Sequence, residues 1–333
     1  MSIVFERSGF HFTPSVMRTN VGEPLFLIVK VKGRSTVEAP RLSVWEYDED
    51  EYVSFINENN IKAVLAIIDD FSFLTRCHGI EMLNIIPSNE APNRVAFDPV
   101  YQMPSLKMLQ PRTIYGEENR KWSIFDCNEL LSASRLEWFS ANCKKGLKNL
   151  TALTGLKSLI LSSYRANDLH EIIGSESLDT LSLLYCGINS LDGVKKSRAL
   201  KVVKLDSCFR LTNIDSLYDS RETLQGLVIT DCKNIRDYSV LSEFKNLTRL
   251  SIHGAGEIPS ISFIDRLKKL RTLTLGINVI DGNLSYCDAL EHASIFPNRR
   301  HYNRKDENLP KMPPSQVVVG DEGIDEWRRC VMS

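Results

Sequence analysis

Six segments in the second half of the chain align on their leucines: Leu156-Lys-Ser-Leu159-Ile-Leu161, Leu178-Asp-Thr-Leu181-Ser-Leu183, Leu200-Lys-Val-Val203-Lys-Leu205, Leu224-Gln-Gly-Leu227-Val-Ile229, Leu247-Thr-Arg-Leu250-Ser-Ile252 and Leu270-Arg-Thr-Leu273-Thr-Leu275. Their first leucines are 22, 22, 24, 23 and 23 residues apart. Near-equal steps of this length predict a solenoid in which each turn is one structural unit. A turn offers three or four strand side chains and two or three more in its second half, each stabilising by roughly 1.5 to 3 kcal/mol once buried. No turn buries them alone, so turns must stack and the open ends must be closed by caps.

The underlying pattern, Leu-x-x-Leu-x-Leu-x-x-Asn/Cys-x-Leu, resembles the leucine-rich-repeat family over residues 136 to 295. Upstream, Leu136-Glu-Trp-Phe139, Leu106-Lys-Met-Leu109, Ile80-Glu-Met-Leu83-Asn-Ile85 and Ile61-Lys-Ala-Val64 continue it irregularly, and Leu290-Glu-His-Ala293-Ser-Ile295 closes it. About ten turns result. In the second half of each turn apolar residues recur every three positions, as in Leu211, Ile214, Leu217 and in Ile258, Ile261, Ile264, Leu267, Leu270. That step suits 3₁₀ or short extended turns better than a 3.6-residue helix. The repeats thus resemble the short bacterial ones of the internalin type. The resemblance implies an α/β solenoid: a horseshoe with a parallel β-sheet on the concave face, 3₁₀ or short turns on the convex face, and a cap at each end.

The expected organisation is an amino-terminal cap over residues 1–58, a solenoid over 59–297 (irregular to about 135, regular over 136–295), and a basic, proline-containing tail or cap over 298–333. The first cap holds the strand-like run Leu25 to Val29. It also holds an acidic stretch, Glu46 to Glu51, that reads as the start of a short helix near Tyr52 to Glu58, since carboxylates favour a helix amino terminus. In the last segment Val317 to Val319 suggests an edge strand, and Gly323 to Cys330 a short helix.

Composition narrows the function. The 333 residues balance 41 Lys and Arg against 42 Asp and Glu, so no global field draws the chain to nucleic acid. The apolar runs Leu25 to Val29 and Ala63 to Ile68 are far short of the roughly 20 residues that span a bilayer. A glutamate and an arginine arrive at positions 6 and 7, before a signal-peptide core could form. The eight cysteines contain no Cys-x-x-Cys pair, so neither a metal nor another cofactor is expected. Cys186, Cys208 and Cys232 fall at the inward Asn/Cys position of the repeat. Buried, reduced thiols predict a cytoplasmic location. The sequons at Asn149, Asn246 and Asn283 are products of the leucine pattern.

In a parallel ladder, equivalent residues of successive turns lie about 4.8 Å apart. With the first leucine as position one, the concave rows can be written down. Position three carries Trp138, Ser158, Thr180, Val202, Gly226, Arg249, Thr272 and His292. Position five carries Ser140, Ile160, Ser182, Lys204, Val228, Ser251, Thr274 and Ser294. Position seven carries Asn142, Ser162, Leu184, Asp206, Thr230, His253, Gly276 and Phe296, and position eight includes Tyr185 and Asp231. Asp206, Thr230, Asp231 and His253 cluster on three adjacent strands beside Lys204 and Arg249. An acid, a hydroxyl and an imidazole suggest a hydrolytic triad, but a flat sheet face supplies no water-excluding pocket. The same residues suit recognition, mixed charge orienting a partner and aromatic rings anchoring it.

The expectation is a non-enzymatic module that grips a protein partner through Trp138, Tyr164, Tyr185, Lys204, Asp206, Thr230, Asp231, Arg249, His253 and His292, as a monomer or in a heterocomplex. Its specific form is a bacterial immunity protein neutralising a cognate toxin. The alternatives are a scaffold and a host-directed bacterial effector, the latter prenylated at Cys330 of the closing Cys330-Val-Met-Ser333.

Overall fold

The computed structural model describes residues 16–18, 24–29, 48–68, 70–86, 96–111, 125–132, 135–141 and 147–312. They fall into two compact units, Met1–Gly146 and Leu147–Ser333. The edge strand Val317 to Val319, the helix Gly323 to Cys330, the candidate lipid site Cys330 and the row residue Asn142 lie outside the described residues.

In the first unit the strands are β1 (Val16–Arg18), β2 (Pro24–Val29), β3 (Ala63–Ile67), β4 (Met82–Ile86), β5 (Met108–Pro111) and β6 (Trp138–Ala141). β1 pairs antiparallel with β2, and the later strands add in parallel and in sequence order. Ala63, Met82, Met108 and Trp138 stand in one row, as the irregular leucine spacings require. The run assigned to the cap pairs into this ladder as well, Leu27 facing Val64. The acidic stretch does open a helix, α1 (Glu49–Glu58), with Glu49, Asp50 and Glu51 in its first turn. The Asp48 N–H bonds to Glu51 Oε2 at 3.0 Å, and Arg76 reaches both Glu49 and Asp50. On the far side of the sheet, one phenylalanine per turn builds a column. Phe71 stacks on Phe97 at 5.7 Å, Phe97 meets Phe125 at 5.3 Å, and Phe125 meets Phe139 at 6.3 Å. Such offset and edge-on pairs add stability beyond their buried area.

The second unit is regular. Its strands are β7 (Ser158–Ser162), β8 (Thr180–Leu184), β9 (Val202–Asp206), β10 (Gly226–Thr230), β11 (Arg249–Ile258), β12 (Thr272–Val279) and β13 (His292–Ile295), all parallel. Register is set where each strand begins. The carbonyl of Lys157 accepts from Asp179 N at 2.8 Å and from Thr180 N at 3.0 Å, and the same double acceptance recurs at each later turn. The returns from β8 onward contain the 3₁₀ segments Val194–Lys196, Asp215–Ser220, Ser239–Glu243, Ser262–Arg266 and Ser285–Cys287. The sequence explains the last four. Asn213, Asp237, Ser260 and Asn283 each accept the N–H of the first residue of their segment, at 3.2, 2.8, 3.1 and 3.2 Å. That bond satisfies a donor the short helix leaves open. Behind these caps the three-residue apolar step places Leu211, Ile214 and Leu217 in the core.

The basic segment after β13 is part of the fold and closes its last edge. Pro310 O accepts from Ala293 N at 2.8 Å, Asp306 Oδ1 from Ile295 N at 2.7 Å, and Lys311 Nζ donates to Ala293 O at 2.7 Å. Tyr302 and Leu309 are buried beneath it, and Tyr302 Oη accepts from Val279 N at 3.1 Å. An exposed strand edge, the usual seat of unwanted pairing, is thereby occupied.

Candidate functional site: the concave face of the second unit

Along β9 to β12 the residues at positions three, five and seven are partly exposed, while those between them point into the core. The observed pairing reproduces the rows read from the sequence: Asp206 faces Thr230, Thr230 faces His253, and His253 faces Gly276. At position eight the backbone turns. Ser163, Tyr185, Ser207 and Asp231 have φ of 61°, 53°, 55° and 51°, and Gly254 has φ of 119°. A left-handed residue other than glycine costs about 1 to 2 kcal/mol. The cost is offset along the ladder, because each of the four donates its N–H to the position-seven carbonyl of the next strand, as Tyr185 N does to Asp206 O at 2.8 Å.

After Ser163, Tyr185, Ser207 and Asp231 this turn aims position nine inward. Cys186, Cys208 and Cys232 lie there, reduced and buried. Each Sγ is 3.7 to 3.8 Å from a carbonyl of the preceding strand and 3.4 to 3.6 Å from one of its own turn. Hydrogen bonding with both neighbouring thiols, together with burial, pushes the middle thiol, Cys208, up. An inward cysteine after a left-handed residue, on parallel strands returned by 3₁₀ turns, matches the repeat pattern read from the sequence. The fold is that of a leucine-rich-repeat protein.

Tyr164 shares the inward position of the cysteines and is corrected accordingly. It is 3% exposed, its hydroxyl has no hydrogen-bond partner, and burial raises its pKa to about 12. Trp138 is also corrected: it belongs to β6 of the first unit and is 4% exposed. Neither ring is displayed to a partner. His292 is engaged by the leucine-rich-repeat cap, its Nδ1 accepting from Met312 N at 3.2 Å. Burial and Lys311 lower its pKa.

The remaining residues assemble on the open face. Tyr185 is 49% exposed at its rim. Asp206 accepts from Ser207 Oγ at 2.7 Å, and Asp231 is exposed at the next strand end. Lys204 and Arg249 are partly buried lower on the face, and burial lowers the pKa of Arg249. His253 Nε2 lies 2.7 Å from Ser251 Oγ on its own strand. Burial lowers the His253 pKa against the opposing charge of Asp231. Its hydrogen-bond partner is therefore Ser251, and neither Thr230 nor either aspartate bonds to the ring, so the acid, imidazole and hydroxyl do not form a relay.

The site set read from the sequence left out Phe296. Its ring is 48% exposed and lies 5.4 Å from the His253 ring. Gly276, between them on β12, makes the approach possible, since a Cβ there would stand 2.7 Å from His253 Nδ1 and 3.4 Å from the Phe296 ring. The signal was present in the position-seven row, where an aromatic residue follows a glycine.

No protein-family profile matches the chain. The disease resistance protein RPS4 of Arabidopsis thaliana is 27% identical over 134 residues, which are 37% of this chain and 11% of that protein. The chain thus spans about a tenth of the length of the curated relatives it matches. Among solved structures, the internalin InlF of Listeria monocytogenes is 14% identical, with 80% of this chain and 90% of that one covered and a TM-score of 0.40. The functional domain of InlJ from the same organism is 14% identical, with 69% and 52% covered and a TM-score of 0.44. Among the described residues, no helix is long and apolar enough to cross a membrane.

Proposed function

We propose that the protein is a protein-interaction module and that the concave face of the second unit holds the partner. One observation carries this reading: from β9 to β13 the face is polar, half-open and flanked by two rings, Tyr185 and Phe296, each about half exposed. Aromatic side chains set at the edge of a polar field are the usual anchors of protein interfaces. Lys204, Asp206, Thr230, Asp231, Arg249 and His253 supply orientation between them. No chemical step is part of the reading. Neutralising a toxin is its specific form, since occupying a toxin surface requires affinity alone.

A photo-crosslinking amino acid placed at Thr230, compared with one at Asp265 on the convex side, tests the proposal in cells. Adducts to another protein are expected from position 230 and not from 265. Adducts from 265 alone, or from neither, would overturn it. Growth rescue on co-expression with the crosslinked protein then tests neutralisation.

A further inference from the structure

We infer that the upper edge of this face, formed by Tyr185, Asp206 and Asp231, receives an arginine-bearing segment of the partner protein. The inference rests on the concave-face reading above and adds the chemistry of what binds there.

Charge is segregated on the face. Lys204 at position five and Arg249 at position three lie low on their strands, whereas Asp206 at position seven and Asp231 at position eight lie at the top. Among the described residues neither aspartate is in an ion pair, and Asp206 holds only the Ser207 hydroxyl. Some other carboxylates of the unit are matched by cations, Asp288 by Arg304, Glu291 by Arg271 and Asp306 by Lys311. The two top residues sit at the ends of adjacent strands, Asp231 directly following Thr230, which faces Asp206. A guanidinium has five N–H donors, so it can donate its fork to one carboxylate and a remaining N–H to a second.

Backbone geometry holds the pair in place. Asp231 is left-handed, with its N–H on His253 O at 3.0 Å. Gly254 leaves room for its carboxylate, because a Cβ there would lie 2.6 Å from Asp231 Oδ1. Tyr185, half exposed, follows Leu184, which faces Asp206 on the adjacent strand. A planar guanidinium stacks on an aromatic ring face while its N–H groups reach the acids; an ammonium lacks that planar fit. At the far end of the same row the Phe296 ring, steadied by His253, offers an apolar stop for the side chain that follows. Burial of the His253 imidazole disfavours its charged form and so lessens opposing charge on the path.

The test uses the full chain and two blocked peptides, Gly-Arg-Trp-Arg-Gly and Gly-Glu-Trp-Glu-Gly, titrated calorimetrically at low salt. Saturable binding of the arginine peptide is expected, weakened at least fivefold by Asp206→Asn with Asp231→Asn and by added salt, and weakened again by Tyr185→Ala. The thermal melt of each variant confirms that it is folded. Absence of saturable binding, equal binding of the glutamate peptide, or binding unchanged in the double aspartate variant would each overturn the inference. Crosslinks from position 230 would still stand in that case, so its failure is separable from failure of the concave-face reading.

Discussion

The first unit and the later strands of the second carry the same repeat pattern and bury their sheets differently. In β3 all five residues, Ala63 to Ile67, are buried, and Met82, Asn84, Met108 and Trp138 on the same face of the following strands are buried too. In β9, β10 and β12, burial alternates residue by residue. The difference is written in composition. Ala63 to Ile68 is an unbroken apolar run, the mark of a strand covered on both faces, whereas Val202-Val-Lys-Leu-Asp206 alternates as a strand covered on one. Only the alternating strands from β9 onward keep a face open, since Ser158, Thr180 and Ser182 on β7 and β8 are buried too. Polar atoms in the covered half must find partners within the fold, and they do so in part: Asn84 Nδ2 donates to Gln110 Oε1 at 3.0 Å, while Asn84 Oδ1 has no partner.

The contrast is broken most directly by one substitution made in both halves. Leu65→Asp and Val228→Asp occupy the same position of the repeat. The first places a charge among buried apolar groups and should cost about 4 kcal/mol or more. The second, on the partly exposed face, should cost less than about 1 kcal/mol. Urea denaturation of the two variants reads the difference, and equal losses would show that both faces are covered alike.

A smaller effect sharpens the account of the open face. Gly254→Ala adds a Cβ at φ of 119°, 2.6 Å from Asp231 Oδ1, and should destabilise by about 1 to 2 kcal/mol. Ser207→Gly, at an equivalent left-handed position, should be neutral or slightly stabilising. Thermal melts of the pair test whether position eight is strained.

The smallest effect is on pH dependence. Burial holds His253 below its ordinary value near 6.5. The folded chain then binds fewer protons there than the unfolded chain as pH falls below about 6.5, so this histidine subtracts stability on acidification and has no effect well above that pH. Urea midpoints at pH 7.5 and 5.5 should therefore lie closer together in His253→Gln than in the parent. An unchanged separation would place the ring in a solvated setting.

Much of this arrangement was legible in the leucines. A fixed period leaves parallel pairing no freedom, so Lys204, Val228, Ser251 and Thr274 could be set side by side from their numbers alone. What the period does not encode is which faces become covered. Trp138 occupies the same position of the repeat as Arg249, yet Trp138 is buried and Arg249 partly exposed. Tyr164 was misplaced for a different reason. Its count from Leu156 equals that of Cys186 from Leu178, and the inward direction inferred for the cysteine applies equally to the tyrosine. The left-handed turn that enforces this direction has no residue signature, since serine, tyrosine and aspartate all occupy it. Phe296 was visible in its row, but its pairing with His253 depends on the missing side chain at Gly276.

The cap over β13 has a consequence beyond stability. A stack of identical turns has no intrinsic length, and an uncovered final strand offers the next molecule the same surface that each turn offers its successor. By holding the amides of Ala293 and Ile295 with Pro310 and Asp306, the chain denies that growing end to a second copy. The same few residues that finish the fold also stand against its polymerisation into filaments.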